Sequence, residues 1–264
     1  MIDLIGVTKR FGNKFAVDGL DLHVRAGELF GFLGPNGAGK TTTMKMVCGL
    51  LTPTSGTVRV GGFPAGSPEA RRLIAYVPDQ PYLYEKLTGR EFLRFVVEMY
   101  GLDPSRAGRK LEELVDTFEM RDFVDDLCES YSHGMKQRVV FASALIHEPR
   151  VMIIDEPLVG LDPRSARIVK DLFVSLARSG VAVLMSTHLL SIAEELADTI
   201  GIVERGKMLA VGTLDELRER SAHQGPLESL FLKLTGGDRP IHAYEPPRVD
   251  GVLAASATGE EVDR

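Results

Sequence analysis

Short apolar segments alternate with longer amphipathic segments along most of the chain. Leu20, Leu22 and Val24 alternate with polar residues, and this period of two predicts a half-buried strand. Other short apolar runs are bounded by Gly or Pro, which is typical of strands that lie inside a sheet. These predicted strands are at 29–33, 57–60, 74–77, 151–154, 181–186, 200–203 and 208–211. The last two are separated by a short polar turn and predict a hairpin.

Capping residues mark the predicted starts of several helices. A helix is predicted from Lys40 to Leu50, and Thr88 has the spacing of a capping box with Glu91. Asp162, followed by proline, has N-cap chemistry for a helix that ends near residue 180. The apolar residues at 111, 114, 115 and 118 fall on one helical face, so we expect a helical insertion over roughly 85–130.

The order of elements predicts an α/β fold. After the helical region, strands and helices alternate, which favours a mainly parallel sheet covered by helices on both faces. From residue 236 onward the sequence is polar and rich in Gly and Pro. We therefore predict a flexible tail without catalytic residues over 236–264.

Composition and charge exclude several classes of protein. The 264 residues are 44% hydrophobic and 26% charged, as in an ordinary globular protein. A net charge of −6 does not indicate a nucleic-acid-binding protein, and no apolar run reaches the roughly 18 residues of a membrane span. The first residues lack the pattern of a signal peptide, so we expect a cytoplasmic protein. Cys48 and Cys128 are far apart, which excludes a disulfide framework or a zinc site as the organising feature.

A glycine-rich segment after the 29–33 strand matches the phosphate-binding loop. Backbone N–H groups can surround a triphosphate only where side chains are absent, and a helix that starts near Lys40 directs its positive end at the phosphates. Lys40 would neutralise the β- and γ-phosphates, and the Thr41 hydroxyl would bind Mg²⁺. The strand before it and the helix after it argue against a purely structural turn. A dinucleotide-binding loop is not predicted, because Thr42 stands where that loop needs a small residue. The predicted loop is Gly34, Pro35, Asn36, Gly37, Ala38, Gly39, Lys40, Thr41 and Thr42.

Two carboxylates follow the apolar strand at 151–154. A buried strand would place Asp155 beside the phosphate loop, where Mg²⁺ offsets its charge. Glu156 is one residue further on and would reach the water that attacks the γ-phosphate. Alone, such a pair is equally typical of a solvated strand end. Together with the phosphate loop, it predicts nucleotide hydrolysis.

The segment at 131–138 resembles the signature motif of ABC-type ATPases, whose usual form is Leu-Ser-Gly-Gly-Gln. Ser132 and Gly134 match this motif, whereas Tyr131, His133 and Met135 depart from it. Ser132 can cap the helix that follows, and Gly134 leaves backbone N–H groups open to an anion. The resemblance implies that Ser132 and Gly134 contact the γ-phosphate bound by the other subunit of a dimer.

Further segments resemble the same family in the same order. The resemblance implies that Asp162 belongs to the loop near the partner's phosphate site, and that His188 is the switch histidine that binds the γ-phosphate. Phe11 stands where an aromatic ring stacks on adenine, although Phe15 is close by.

The resemblance also implies a glutamine after a strand that links the Mg²⁺ site to the helical region, and this sequence offers two candidates for that position. The spacing from Pro78 favours Asp79, whereas residue type favours Gln80. An aspartate has a shorter reach than glutamine and carries charge, so the choice between the two decides whether this position contacts the metal.

The resemblance covers residues 2–235 and implies a complete architecture. It implies a P-loop NTPase core of the ABC type over 1–235, with an N-terminal antiparallel β subdomain and a helical subdomain inserted at about 85–135. The implied catalytic residues are Glu156, His188 and Lys40, and the implied cofactors are ATP and Mg²⁺.

The resemblance also implies partners. Two copies, or one copy and a related ATPase subunit, would form a head-to-tail dimer that encloses two ATP molecules. The dimer would drive a separate transmembrane permease from the inner face of the cell membrane. The segment at 230–234 and the variant signature are similar to those of the drug- and ion-exporting branch, and no nucleic-acid partner is expected.

Three alternatives belong to other functional classes. A soluble ABC-type ATPase acting on nucleic acid or ribosomes would usually carry long coiled coils or tandem ATPase halves, and neither is found. A phosphate-loop GTPase would need an Asn-Lys-x-Asp motif, which is absent from the sequence. A non-catalytic regulatory module would be expected to lack Lys40 or Glu156.

Overall fold

The structure is a computed structural model that describes residues 1–80, 82–221 and 225–235. The predicted flexible tail at 236–264 lies outside the described residues. The strands, in chain order, are β1 (Ile2–Phe11), β2 (Lys14–Val24), β3 (Leu29–Leu33), β4 (Ser55–Val60), β5 (Phe63–Pro64), β6 (Ile74–Val77), β7 (Val151–Asp155), β8 (Ala182–Thr187), β9 (Thr199–Glu204) and β10 (Lys207–Gly212).

The helices of the described residues lie between these strands, except for the last two, which follow β10. They are α1 (Lys40–Val47), α2 (Pro68–Leu73), α3 (Gly89–Met99), α4 (Pro104–Thr117), α5 (His133–Leu145), α6 (Pro163–Arg178), α7 (Leu190–Leu196), α8 (Leu214–Ser221) and α9 (Leu227–Thr235), with a 3₁₀ turn at Cys128–Ser130. Within these ranges, no helix combines the length and the apolar character that crossing a bilayer requires.

The strands form two sheets. The N-terminal sheet is antiparallel in the order β2-β1-β4-β5, which agrees with the antiparallel subdomain that the resemblance implies. The main sheet has the order β10-β9-β3-β8-β7-β6, and all of its neighbouring strands are parallel except β9 and β10. The predictions of a mainly parallel sheet and of a terminal hairpin are confirmed.

Alternating side chains of the main sheet enter two different apolar cores. In β7, Met152 and Ile154 pack on the side of the helical insertion, whereas Val151 and Ile153 pack against the antiparallel sheet and α1. A third cluster joins α7, α8 and α9 to the β9 side of the sheet. The sheet is therefore buried on both faces, which explains why its strands read as continuous apolar runs.

Local capping chemistry determines where the helices begin and end. Thr88 and Glu91 form the predicted capping box, and α3 begins at Gly89, the residue after Thr88. The prediction that α1 runs to Leu50 is wrong, because α1 ends at Val47. Gly49 has φ of 69°, and its amide donates to Met46, so the chain leaves the helix through a left-handed glycine.

Candidate nucleotide site

The phosphate loop connects the end of β3 to the start of α1, and two of its glycines are required by the protein's own backbone. A Cβ on Gly34 would lie 2.3 Å from the carbonyl oxygen of Val203. A Cβ on Gly39, where φ is 107°, would lie 2.4 Å from the carbonyl oxygen of Ala16. Gly37 has open space around it but a φ of 81°. Close packing of the loop on β9 and β2 therefore requires two of the three glycines, in addition to any need to leave room for phosphate.

The loop forms one wall of a cleft of about 380 Å³. Most of the residues predicted to bind nucleotide meet in this cleft. Its lining residues are Phe11, Lys14, Ala16, Asn36, Gly37, Ala38, Gly39, Lys40, Thr41, Thr42, Asp79, Asp155 and Glu156. Gly34 and Pro35 support the floor behind it, because their carbonyl oxygens accept hydrogen bonds from Lys40.

Lys40 is a buried cation that is held inside its own loop. Its Nζ donates to the carbonyl oxygen of Gly34 at 2.6 Å and lies 3.9 Å from a carboxylate oxygen of Glu156. Burial lowers the pKa of Lys40 from its ordinary value, while the negative charges of Glu156 and Asp155 oppose this shift. The ammonium group is therefore already positioned to exchange carbonyl partners for phosphate oxygens.

Asp155 ends β7 and is only 2% exposed. Its Oδ2 accepts a hydrogen bond from the Thr41 hydroxyl at 2.7 Å, and its other oxygen accepts one from the Ser186 hydroxyl. Parallel pairing of β7 with β8 brings Asp155 and Ser186 side by side. This contact of Ser186 was not predicted, although Ser186 lies only two residues before His188.

The Thr41 and Asp155 oxygens are the hard donors that Mg²⁺ prefers. Within the described ranges, no group of three or more His, Cys, Asp or Glu side chains is arranged as a metal site. Mg²⁺ commonly takes one or two protein ligands and completes its shell from phosphates and water. The residues present therefore fit this ion in the company of a bound nucleotide.

Glu156 and His188 face each other beside Lys40. Glu156 has φ of 50°, a left-handed conformation that is strained for a non-glycine residue, and its amide donates to the Ser186 carbonyl at 3.2 Å. Its Oε2 lies 2.9 Å from His188 Nδ1 and accepts from the His188 amide at 3.2 Å. The carboxylate of Glu156 therefore lies between Lys40 and His188 at the edge of the cleft.

The structure separates Phe11 from Phe15. Both rings are about half exposed and each lies under a cation, Lys9 Nζ at 5.2 Å for Phe11 and the Arg10 guanidinium at 5.5 Å for Phe15. Phe11 lines the cleft, whereas Phe15 is not among the described residues that line it. Lys14 also lines the cleft and was not identified in the sequence, because its place there depends on the turn between β1 and β2. The geometry favours Phe11 as the ring beside the base.

Asp79, rather than Gln80, reaches the cleft. Asp79 follows β6 and is among the lining residues, whereas Gln80 is not, of those that the structure describes. The Gln80 amide donates to Asp79 Oδ1 at 2.9 Å. The spacing from Pro78 was therefore the more informative signal for this position.

Ser132, Gly134 and Asp162 form a second group, which does not line the cleft of the same chain. Ser132 is exposed and caps α5 by accepting a hydrogen bond from Met135 at 3.3 Å. A Cβ on Gly134 would lie 3.5 Å from Asp162 Oδ2, so the starts of α5 and α6 are side by side. Asp162 caps α6, and the hydrogen bond from Ser165 lowers its pKa. We call these three residues the signature group.

Comparison with known proteins gives one consistent answer. Residues 17–159 match the ABC transporter family. The chain is 37% identical over 222 residues to the linearmycin resistance ATP-binding protein LnrL of Bacillus subtilis (strain 168), covering 83% of this chain and 71% of that protein. It is 41% identical over 219 residues to the daunorubicin/doxorubicin resistance ATP-binding protein DrrA of Streptomyces peucetius, covering 82% and 66%.

Solved structures agree with the sequence comparison. An ATP-binding subunit of an ABC transporter superposes with a TM-score of 0.84 at 33% identity, covering 89% of this chain and 99% of that one. A dimeric ATP-binding cassette in a post-hydrolysis state, bound to ADP and Pi, superposes with a TM-score of 0.74 at 25% identity, covering 81% and 99%.

The fold and the cleft define a phosphate-loop ATPase of the ATP-binding cassette class. The chain belongs to the ABC transporter family, as an ATP-hydrolysing subunit.

Proposed function

We propose that two copies of this chain form a head-to-tail dimer in which each cleft is completed by the signature group of the other copy. The supporting observation is that Lys40 and Glu156 line the cleft, whereas Ser132 and Gly134 lie on a different surface of the same chain. A single chain thus has two half-sites that do not meet. A second chain, turned end for end, supplies each missing half.

Within this dimer, the residues of the cleft divide the work of phosphoryl transfer to water. Phe11 stacks on adenine, the loop from Gly34 to Thr42 surrounds the phosphates, and Lys40 neutralises the β- and γ-phosphates. Thr41 and Asp155 would hold Mg²⁺, which would supply positive charge to offset the charge of the phosphates. Asp79 approaches the same end of the cleft from β6.

Glu156 orients the attacking water and accepts its proton. The two hydrogen bonds from His188 fix one carboxylate oxygen, so the other oxygen is left toward Lys40 and the γ-phosphate. In this arrangement His188 donates a hydrogen bond from Nδ1 to Glu156. The other ring nitrogen, Nε2, then faces the γ-phosphate. The signature group of the other chain adds the N-terminal end of α5 to the same phosphate.

The dimer drives a separate membrane permease, and we propose export as the direction. Support for a drug-exporting role comes from the resistance proteins that this chain resembles. An aromatic surface, formed by Tyr82, Tyr84, Phe92 and Phe95, follows Asp79 along the chain. Its neighbouring rings have centroids 5.6–6.1 Å apart, and Tyr82 is 76% exposed. Exposed aromatic rings are enriched at protein interfaces, and we assign this surface to the permease, at the inner face of the membrane.

The substitution Glu156→Gln tests the proposed dimer and the proposed base. The amide keeps the size of the side chain but cannot accept the proton, so we expect ATP turnover to fall by about 10²- to 10⁴-fold. Nucleotide binding should persist, and the protein should accumulate as an ATP-dependent dimer in size-exclusion chromatography. Glu69→Gln on the exposed side of α2 is the matched control. Full turnover by the Glu156→Gln chain, without an ATP-dependent dimer, would contradict both assignments.

A further inference from the structure

Tyr131 occupies a buried position immediately before the signature serine, where the usual motif has leucine. The side chain is 6% exposed, and its hydroxyl lies among three backbone groups. The hydroxyl accepts a hydrogen bond from the amide of Gly89 at 3.0 Å. The hydroxyl donates to two carbonyl oxygens, that of Phe123 at 2.8 Å and that of Asp126 at 3.0 Å.

These contacts connect three separate segments of the chain. Gly89 is the first residue of α3, and Phe123 and Asp126 belong to the turn that follows α4. The ring of Tyr131 also packs edge-to-face on the ring of Phe123, with centroids 5.2 Å apart. A leucine in this position could fill the space, but it could satisfy none of the three backbone groups.

Gly89 and Tyr131 are matched by a close approach. A Cβ on Gly89 would lie 2.7 Å from the Tyr131 hydroxyl, so glycine leaves the room that the hydroxyl needs. The capping box at Thr88 fixes the start of α3 at this point. The start of α3 and the residue before α5 are thus held together by hydrogen bonds as well as by apolar packing.

We infer that Tyr131 is a positioning residue for catalysis: through its hydroxyl it fixes Ser132 relative to α3, so that the signature group is correctly placed for the cleft of the other chain. This inference rests on the head-to-tail dimer proposed above. Tyr131 itself touches no nucleotide. It acts through the backbone of Ser132, which is its neighbour and the N-cap of α5. Tyr131 thus connects Ser132 to the first residue of α3, the helix that carries Phe92 and Phe95 of the aromatic surface.

The substitution Tyr131→Phe isolates the hydroxyl. The ring and its packing on Phe123 are retained, whereas the buried amide of Gly89 loses its partner. We expect kcat for ATP to fall by about tenfold, the rate equivalent of one buried hydrogen bond left unsatisfied. The KM for ATP should stay within about twofold, because most of the nucleotide contacts lie in the cleft of the other chain.

Mixed dimers distinguish positioning from general destabilisation. Gly134→Asp places a negative charge against the phosphate and disables the signature group of one chain. Glu156→Gln disables the base of the other chain. Neither variant should turn over ATP alone, but a mixture contains one complete site, formed by the cleft of the Gly134→Asp chain and the signature group of the Glu156→Gln chain.

Tyr131→Phe is then placed in either member of the pair, and ATP turnover is measured. A loss of about tenfold is expected only when it is in the Glu156→Gln chain, whose signature group serves the complete site. Equal effects in both chains, or no effect in either, would overturn the inference. If the parent mixture gains no activity over its two components, the head-to-tail dimer is wrong and the inference fails with it.

Stability controls keep the experiment decisive. Tyr100→Phe retains the ring that stacks on His147 and should change neither turnover nor its dependence on the chain that carries it. The melting temperature of every variant is measured before mixing. If Tyr131→Phe does not fold, Gly89→Ala replaces it, because the new methyl group displaces the same hydroxyl. The expected dependence on the chain is identical, and its absence would again overturn the inference.

Discussion

At the scale of single residues, the cleft places the positive charge of Lys40 close to two carboxylates. Lys40 is buried and donates to carbonyl oxygens of its own loop, while Glu156 and Asp155 supply the compensating negative charge nearby. A bound triphosphate would bring further negative charge to the same ammonium group. Because that charge favours the protonated amine, nucleotide binding should raise the lowered pKa of Lys40 toward its ordinary value.

The two phenylalanines near the cleft make different predictions. Phe11→Ala removes the ring that lines the cleft, so we expect ATP affinity to fall by about tenfold, as for loss of stacking on one base. Phe15→Ala removes a ring of similar exposure that packs under Arg10, and we expect a change in affinity of less than about twofold. Equilibrium binding of a fluorescent ATP analogue measures both. A larger loss of ATP affinity with Phe15→Ala than with Phe11→Ala would mean that the base stacks on Phe15 instead.

The placement of residues was predictable from sequence where it depends on short spacing. The phosphate loop, Asp155, Glu156 and His188 were expected to lie near one another because each follows or ends a strand that the apolar pattern reveals. The contacts of Ser186 with Asp155 and of Tyr131 with Gly89 were not predicted, because each joins segments more than 30 residues apart in sequence. The sequence left Asp79 and Gln80 as alternatives, since residue type and spacing gave opposite answers, and Asp79 is the one that lines the cleft in the structure.

At the scale of elements, capping chemistry was a better guide than the apolar pattern. The start of α3 was predicted to the residue because Thr88 and Glu91 are close in sequence and satisfy each other's backbone. The first strand was not predicted, because β1 has three register shifts along its pairing with β2, which break the alternation of apolar residues. The six-residue helix α2 was also not predicted, since so short a segment has little periodicity.

Replacing either of two glycines in the helical insertion by alanine is expected to change the stability of the protein, in opposite directions. Gly108 lies inside α4 with open space at its Cβ position, so Gly108→Ala should stabilise the protein by about 0.5–1 kcal/mol. Gly101 also has open space, but its φ is 61°, so Gly101→Ala should destabilise it by about 1 kcal/mol. Urea denaturation of the nucleotide-free chain measures both changes. A shift in the same direction for both would mean that backbone conformation does not control these sites.

At the scale of the whole molecule, the chain presents separate surfaces to different partners. The cleft and the signature group are proposed to meet a second copy, and the aromatic surface is proposed to meet a permease. The signature group and the aromatic surface are connected through the start of α3, where Tyr131 holds Gly89. The exposed rings of the aromatic surface can therefore be substituted without touching the residues that line the cleft.

Substitution in the aromatic surface should uncouple transport from hydrolysis. Tyr82→Ser removes a ring that is 76% exposed, and its loss should leave the ATPase activity of the isolated subunit within about twofold. If the proposed drug-exporting role is correct, drug resistance of cells that express the subunit with the proposed permease should fall, because exposed aromatic anchors carry much of the binding energy at interfaces. Phe63→Ser, at an exposed position on the antiparallel sheet, is the matched control. Unchanged resistance with Tyr82→Ser would place the permease elsewhere.

The close packing of the phosphate loop has a consequence for how binding energy is used. Gly34 lies against Val203, Gly39 lies against Ala16, and the Gly206 amide donates to the Ala38 carbonyl at 2.8 Å, so the loop is braced by three neighbours before any nucleotide arrives. A braced receptor loses little conformational entropy on capture of its ligand. More of the free energy of ATP binding is then available to close the proposed dimer.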